Sequence, residues 1–192
     1  MTLDKNIPSP SQANTSFEID ISAAVNNSGY TGGLGGPNQG GHHGQPDWYN
    51  KYGMDIGAAE GTEVYAAFDA HITKVNPHIP GQDRDGKYGA QIFMRAPNDM
   101  MGGFYTHLTG VPAGIAVGTT VSRGDLLGRV YRFGSTSPHL HLALVEIIGG
   151  APGGQYVGVD LYQLFLKLEL TDPGKVVTVK FWQDGSAPTI RE

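Results

Sequence analysis

Short runs of alternating apolar and polar residues recur along the chain. Phe17-Glu18-Ile19-Asp20-Ile21 alternates with period two, which predicts a strand with one buried face. Glu63–Ala67 and Ala70–Val75 read as two adjacent strands joined at Phe68-Asp69. Ala90–Arg95, Gly103–Leu108, Leu126–Tyr131 and Leu140–Ile148 complete the core strands, and Val176–Phe181 is a late one before an Asp184-Gly185 turn. Segments rich in Gly, Pro, Asn and Asp separate these runs. Asp160–Leu168 is the best helix candidate, with Asp160 as its N-cap. The pattern predicts a mainly β domain with one short C-terminal helix.

Two segments lack the alternation. Residues 1–16 are polar and rich in Pro, Ser and Asn, which predicts a flexible N-terminal arm. Asn26 to Gly44 holds eight glycines and little apolar surface, so a long surface loop is expected there. A single domain over 17–168 follows, with a C-terminal strand and tail over 169–192 packing on it.

Composition narrows the function. The 192 residues carry a net charge of −5 and no basic run, which argues against nucleic acid or an anionic membrane surface as partner. There is no cysteine, hence no disulfide framework and no thiolate metal site. No apolar run approaches the length that spans a bilayer, so membrane insertion is not expected. The first residues lack the basic and apolar regions of a secretory leader.

The candidate chemistry lies in Ser137-Pro138-His139-Leu140-His141-Leu142. On a strand, residues two apart share a face, so both imidazoles point the same way, roughly 6–7 Å apart. Such a pair suits a metal ligand beside an acid/base group. Asp55 and His107 are the residues that could converge on it.

These motifs resemble the M23 (LytM/lysostaphin-type) peptidases. Tyr52-Gly53-Met54-Asp55-Ile56-Gly57 and Gly61 to Ala67 look like the opening of that domain. Tyr88-Gly89, Tyr105-Thr106-His107-Leu108, Val117 to Gly128 and Gly134 to His141 follow in the family's order, the last one residue short and with Ser137 where Gly is usual. The core motifs fall within 50–148. The resemblance implies an antiparallel β groove or sandwich that cuts peptidoglycan-type or glycine-rich peptides with zinc, outside the cytoplasm. It further implies that Asp55 and His141 are zinc ligands. His107 and His139 become the catalytic pair that polarises, exchanges protons and stabilises the oxyanion. Trp48, Tyr52 and Tyr105 are groove-wall candidates.

One position departs from the pattern. The family's first ligand, a His four residues before the Asp, falls on Lys51. A protonated lysine has donors only and no lone pair. Its ammonium beside Asp55 would stand in for the cation rather than bind one. The leading expectation is therefore a peptide-binding groove with impaired or absent zinc catalysis, a pseudo-peptidase that could regulate a partner hydrolase. The alternative is an active zinc endopeptidase in which His42 or His43, from the Gly-rich loop, supplies the third ligand.

Overall fold

The computed structural model describes residues 16–26, 30–79, 81, 88–160 and 176–191. The N-terminal residues 1–15 and the helix expected beyond Asp160 lie outside them. Thirteen strands are present among the described residues: β1 (Phe17–Ser22), β2 (Tyr30–Gly35), β3 (Met54–Ala58), β4 (Glu63–Tyr65), β5 (Ala70–Asn76), β6 (Ala90–Arg95), β7 (Met101–Thr109), β8 (Thr120–Val121), β9 (Leu126–Val130), β10 (His139–Ile148), β11 (Gln155–Val159), β12 (Val176–Phe181) and β13 (Thr189–Arg191). A single turn of helix, α1 (Trp48–Lys51), precedes β3. The architecture is mainly β and antiparallel, as the alternation predicts.

The larger sheet runs β2-β3-β10-β7-β6-β5-β8, with β11 beside β10 and β9 linking β7 to β4. All ten residues of β10 are buried, because β10 is paired on both edges. Its first half pairs β3 and its second half β11, both on one side, while β7 holds the other. A smaller sheet, β1-β12-β13, completes the molecule. Ile21, Val177, Val179 and Phe181 from it join Leu140, Leu142 and Leu144 of β10 in one apolar cluster. Each such side chain, fully buried, stabilises by roughly 1.5–3 kcal/mol.

Alternation along β10 divides its side chains. Leu140, Leu142 and Leu144 face the core, so His139, His141 and Val145 face the opposite, groove side. Tyr105, expected on the groove wall, is in the core. It has no exposed surface, its hydroxyl accepts the Ala67 N–H at 3.0 Å, and burial pushes the phenol pKa up. Period two explains this, since its neighbours Phe104 and Thr106 take the other face. Tyr52 is likewise buried: a side-chain carbon added at Gly158 would overlap its ring.

Two further expectations are corrected. The Gly-rich segment is not wholly a loop, because Tyr30–Gly35 pairs with β3 as an edge strand carrying two register shifts. Glycine allows the close approach: a carbon added at Gly57 would lie 2.4 Å from the Gly32 carbonyl. Nor are β4 and β5 neighbours. β4 pairs β9, and β5 pairs β6 and β8. The Phe68-Asp69 connection turns the chain between the two regions instead of closing a hairpin.

The two sheets also meet at a buried carboxyl. Glu146 of β10 has no exposed surface, and one of its oxygens accepts the Gln183 N–H at 3.0 Å and its side-chain N–H at 3.1 Å. The other oxygen, Oε2, has no hydrogen-bond partner among the described residues. Burial pushes the Glu146 pKa from 4.5 to about 7, against the hydrogen bonds of Gln183. The folded protein thus holds this proton more firmly than the unfolded chain. The penalty for ionising it is absent below pH 4.5, grows as pH rises towards 7, and is complete above. Glu146→Gln is expected to equal the parent at pH 4 and exceed it at pH 8 by up to about 3 kcal/mol. Urea unfolding at the two pH values checks this, and an equal effect at both would contradict it.

Candidate metal centre

The site begins with a register. β3 and β10 pair so that Asp55 stands directly opposite His141 and Gly57 opposite His139. Directly opposed residues share a face, so the Asp55 carboxylate and the His141 imidazole meet on the groove side. His141 Nδ1 lies 2.9 Å from Asp55 Oδ1, and His139 Nε2 lies 3.7 Å from the same oxygen. On the other side of His141, β7 places Thr106 opposite it.

His107 reaches the groove by an irregularity. Ala90 pairs with Leu108 and Gln91 with Thr106, so His107 is an extra residue in β7. Its φ is 66°, unusual for a residue with a side chain. A bulge of this kind re-aims a side chain that alternation would turn inward. The His107 ring stands 4.7 Å from the His139 ring and 4.3 Å from Phe133. Burial, then the neighbouring His139 and His141, lower its pKa to about 4, against a hydrogen bond to Tyr88. His107 is therefore neutral at pH 7.

The Gly-rich segment delivers a third imidazole. After β2 the chain makes a 3₁₀ turn at Gly40–His42 and then α1, and the Asn38 N–H donates to the Lys51 carbonyl at 2.6 Å. That bond closes a loop over 38–51 and carries His42 back above β3. His42 Nε2 lies 3.4 Å from Asp55 Oδ1, and its side chain is 12% exposed. His43, its neighbour, is exposed and directs Nδ1 to the Asn38 carbonyl at 3.4 Å. Lys51 ends α1 with its ammonium 5.6 Å from the centre of the Tyr52 ring. His42, Asp55 and His141 offer ligand atoms that all lie within 4.8 Å of one another.

Hydrogen bonds fix which nitrogen of each ring faces the site. A carbonyl oxygen only accepts, so a ring nitrogen in contact with one must carry the proton. His42 Nδ1–H donates to the Gly36 carbonyl at 3.0 Å, and His141 Nε2–H to the Tyr49 carbonyl at 2.7 Å. His139 Nδ1–H donates to Ser137 at 2.7 Å, and His107 Nδ1–H to Tyr88 at 2.9 Å. In neutral rings the remaining nitrogens of His42, His139 and His141 present lone pairs to one oxygen of Asp55. Lone pairs facing a carboxylate repel unless a cation lies among them, either extra protons or a metal ion. The acidities express the same need. Burial alone would raise the Asp55 pKa, but hydrogen bonds from His141 and His42 hold it well below the usual carboxylate range. His42 is raised, chiefly by its hydrogen bond to Asp55 and despite burial.

Two imidazoles and a carboxylate suit a divalent ion of the zinc type, with a position left open. The carbonyls behind His42 and His141 are the outer partners that orient metal-ligating histidines. The residues present fit such an ion.

Phe104 and Phe93 escaped the sequence reading. Phe104 lies 5.9 Å from the His141 ring, and the Tyr49 ring packs tilted against Phe104 at 5.0 Å and edge-on to Phe93 at 5.5 Å. Trp48, expected on the groove wall, stands 5.6 Å from Tyr49 and lines a cleft on the groove face. Gly53 is the tightest point: a side-chain carbon there would lie 2.0 Å from His141 Cε1.

The sequence model of Peptidase family M23 matches residues 49–156, more than half of the 192, and the chain belongs to that family. The solution structure of lysostaphin superposes with a TM-score of 0.52 at 22% identity, covering 88% of this chain and 59% of that one. The antimicrobial peptidase lysostaphin from Staphylococcus simulans gives a TM-score of 0.54 at 20% identity, covering 81% of this chain and 58% of that one. The chain thus spans about three fifths of the lysostaphin chains it matches. No curated protein matches it in sequence. M23 peptidases are zinc-dependent and act on peptidoglycan peptides. No helix among the described residues is long and apolar enough to cross a membrane.

The approach of His141 to Gly53 yields a prediction. Gly53→Ala must push the ring away from Asp55, and zinc affinity measured by competition with a chelator is expected to fall at least about tenfold, as when groups that orient a ligand are lost. Unchanged affinity would show that the His141 position in this site is not what the metal requires.

Proposed function

We propose that the protein is a zinc endopeptidase acting on peptidoglycan-type or glycine-rich peptide, with His42, Asp55 and His141 as the metal ligands. The observation that carries this reading is the convergence of His42 Nε2, Asp55 Oδ1 and His141 Nδ1. It favours the active enzyme over the groove with impaired zinc catalysis that the spacing of Lys51 suggests. The ligand set is completed from the loop at His42, thirteen residues before Asp55, and Lys51 takes no part in it.

Zinc held there would lower the pKa of a water molecule and polarise the scissile carbonyl. The chain's own groups do the rest. Carbonyls of Gly36 and Tyr49 hold the other ring protons, so in the neutral rings His42 Nε2 and His141 Nδ1 are the nitrogens left to ligate. His107, neutral at pH 7 and with its Nδ1–H fixed on Tyr88, offers Nε2 as the acceptor for a proton from the attacking water. His139, held through Ser137, stands between His107 and Asp55, where a protonated ring would stabilise the oxyanion and return a proton to the leaving amine. Phe104, Phe93 and Tyr49 form an aromatic floor beside the ligands.

The test separates ligands from bystanders. Purified protein is expected to hold one zinc per chain and to cleave pentaglycine or peptidoglycan. His42→Ala should lose both, while Lys51→Ala keeps both. His107→Ala and His139→Ala should retain zinc and lose about 10²–10⁴-fold in kcat, the usual size of an acid/base contribution. Metal analysis and peptide release measure these. Zinc retained in His42→Ala and lost in Lys51→Ala would overturn the assignment.

A further inference from the structure

Resting on the peptidase reading, we propose that a second part of the groove is a subsite for a substrate carboxylate, with Arg95 as the residue that selects it. A cleft of about 210 Å³ opens on the sheet face that carries the metal centre. Trp48, Phe93 and Tyr156 form aromatic walls, with Gly102, Val145 and Arg95 among its lining.

Strand register makes the cleft continuous with the site. Val145 follows His141 by four residues on β10 and so shares its face. Gly102 stands opposite Val145, and Arg95 opposite Gly102. Phe104 bridges the two regions, touching the His141 ring at 5.9 Å and the Phe93 ring at 4.5 Å. Four residues of strand span about 13 Å, the reach of about four residues of extended peptide. A chain lying along the sheet from the scissile bond therefore brings its fourth residue to the cleft.

The charged residue in the cleft's lining is Arg95. The Arg95 guanidinium is 28% exposed and oriented by the Tyr156 hydroxyl, to which Nη2 donates at 2.9 Å. Asp99 lies 3.9 Å from Nη1 but is shared with His71 at 3.2 Å. Lys74 adds a second cation over the face of Phe93, at 5.3 Å. Arg95 thus brings a cation to an aromatic cleft of a protein whose net charge is −5, with Lys74 beside it and Asp99 at its edge. A guanidinium held in a fixed plane presents a paired set of donors that matches a carboxylate and has no use for an amide oxygen of glycine. The bare Gly102 floor leaves room for that group; a carbon added there would already lie 3.1 Å from Val145.

The experiment uses oligoglycine peptides bearing Glu or Gln four residues from the centre, on either side. Binding to the zinc-loaded full chain is read by stopped-flow tryptophan fluorescence before turnover, with Trp48→Phe to assign the signal, and cleavage is followed in parallel. One Glu peptide should bind about tenfold tighter than its Gln twin, as a charged hydrogen bond is worth. Arg95→Ala and Arg95→Gln should abolish that preference through KM, with kcat and Gln-peptide binding unchanged, and Tyr156→Phe should reduce it. Equal binding of the Glu and Gln peptides by the parent protein, or a preference that survives both Arg95 variants, overturns the subsite. Absence of zinc and cleavage would refute the peptidase reading, while the fluorescence preference would still report on the cleft.

Discussion

One half-buried carboxylate governs the site. Asp55 lies opposite His141 in the sheet and meets ring nitrogens of His42, His139 and His141 at its Oδ1. Each of those rings spends its other nitrogen on a backbone carbonyl. The arrangement calls for positive charge at its centre, which the proposed metal ion would supply. The register of β3 against β10, the bare Gly53 under the His141 ring, and the loop closed by Asn38 and Lys51 all serve that point.

The fold was legible where side chains alternate. Phe17–Ser22, Ala90–Arg95, His139–Ile148 and Val176–Phe181 bury every second residue or lie wholly inside, and their apolar pattern marks them. β2 was not legible, because glycine has no side chain with which to alternate, yet glycine is what lets it lie against β3. Pairing was not legible either. The runs of β4 and β5 are adjacent in sequence, but which strand each joins depends on partners far along the chain.

The same division holds for the site. His-x-His and Asp55 could be read from period two and from the family's motifs. The groove position of His107 depends on a bulge at a non-glycine residue with positive φ, which no spacing announces. The Tyr49 carbonyl is a backbone atom and has no sequence signature at all. Lys51 shows the hazard of fixed spacing. Four residues before Asp55 is where the resemblance puts a ligand, but here a turn of helix occupies that stretch, and the imidazole that lies beside Asp55 from this side is that of His42. Its signal was the His42-His43 pair in a glycine loop, whose conformational freedom allows the chain to fold back.

The central claim is that a metal ion sits among His42, Asp55 and His141. Crystals of the protein dialysed against trace zinc, with anomalous differences measured on both sides of the zinc edge, test it most directly. The account predicts a single strong peak within coordination distance, about 2.0–2.2 Å, of His42 Nε2, Asp55 Oδ1 and His141 Nδ1. No peak there, or the Lys51 ammonium in its place, would contradict it.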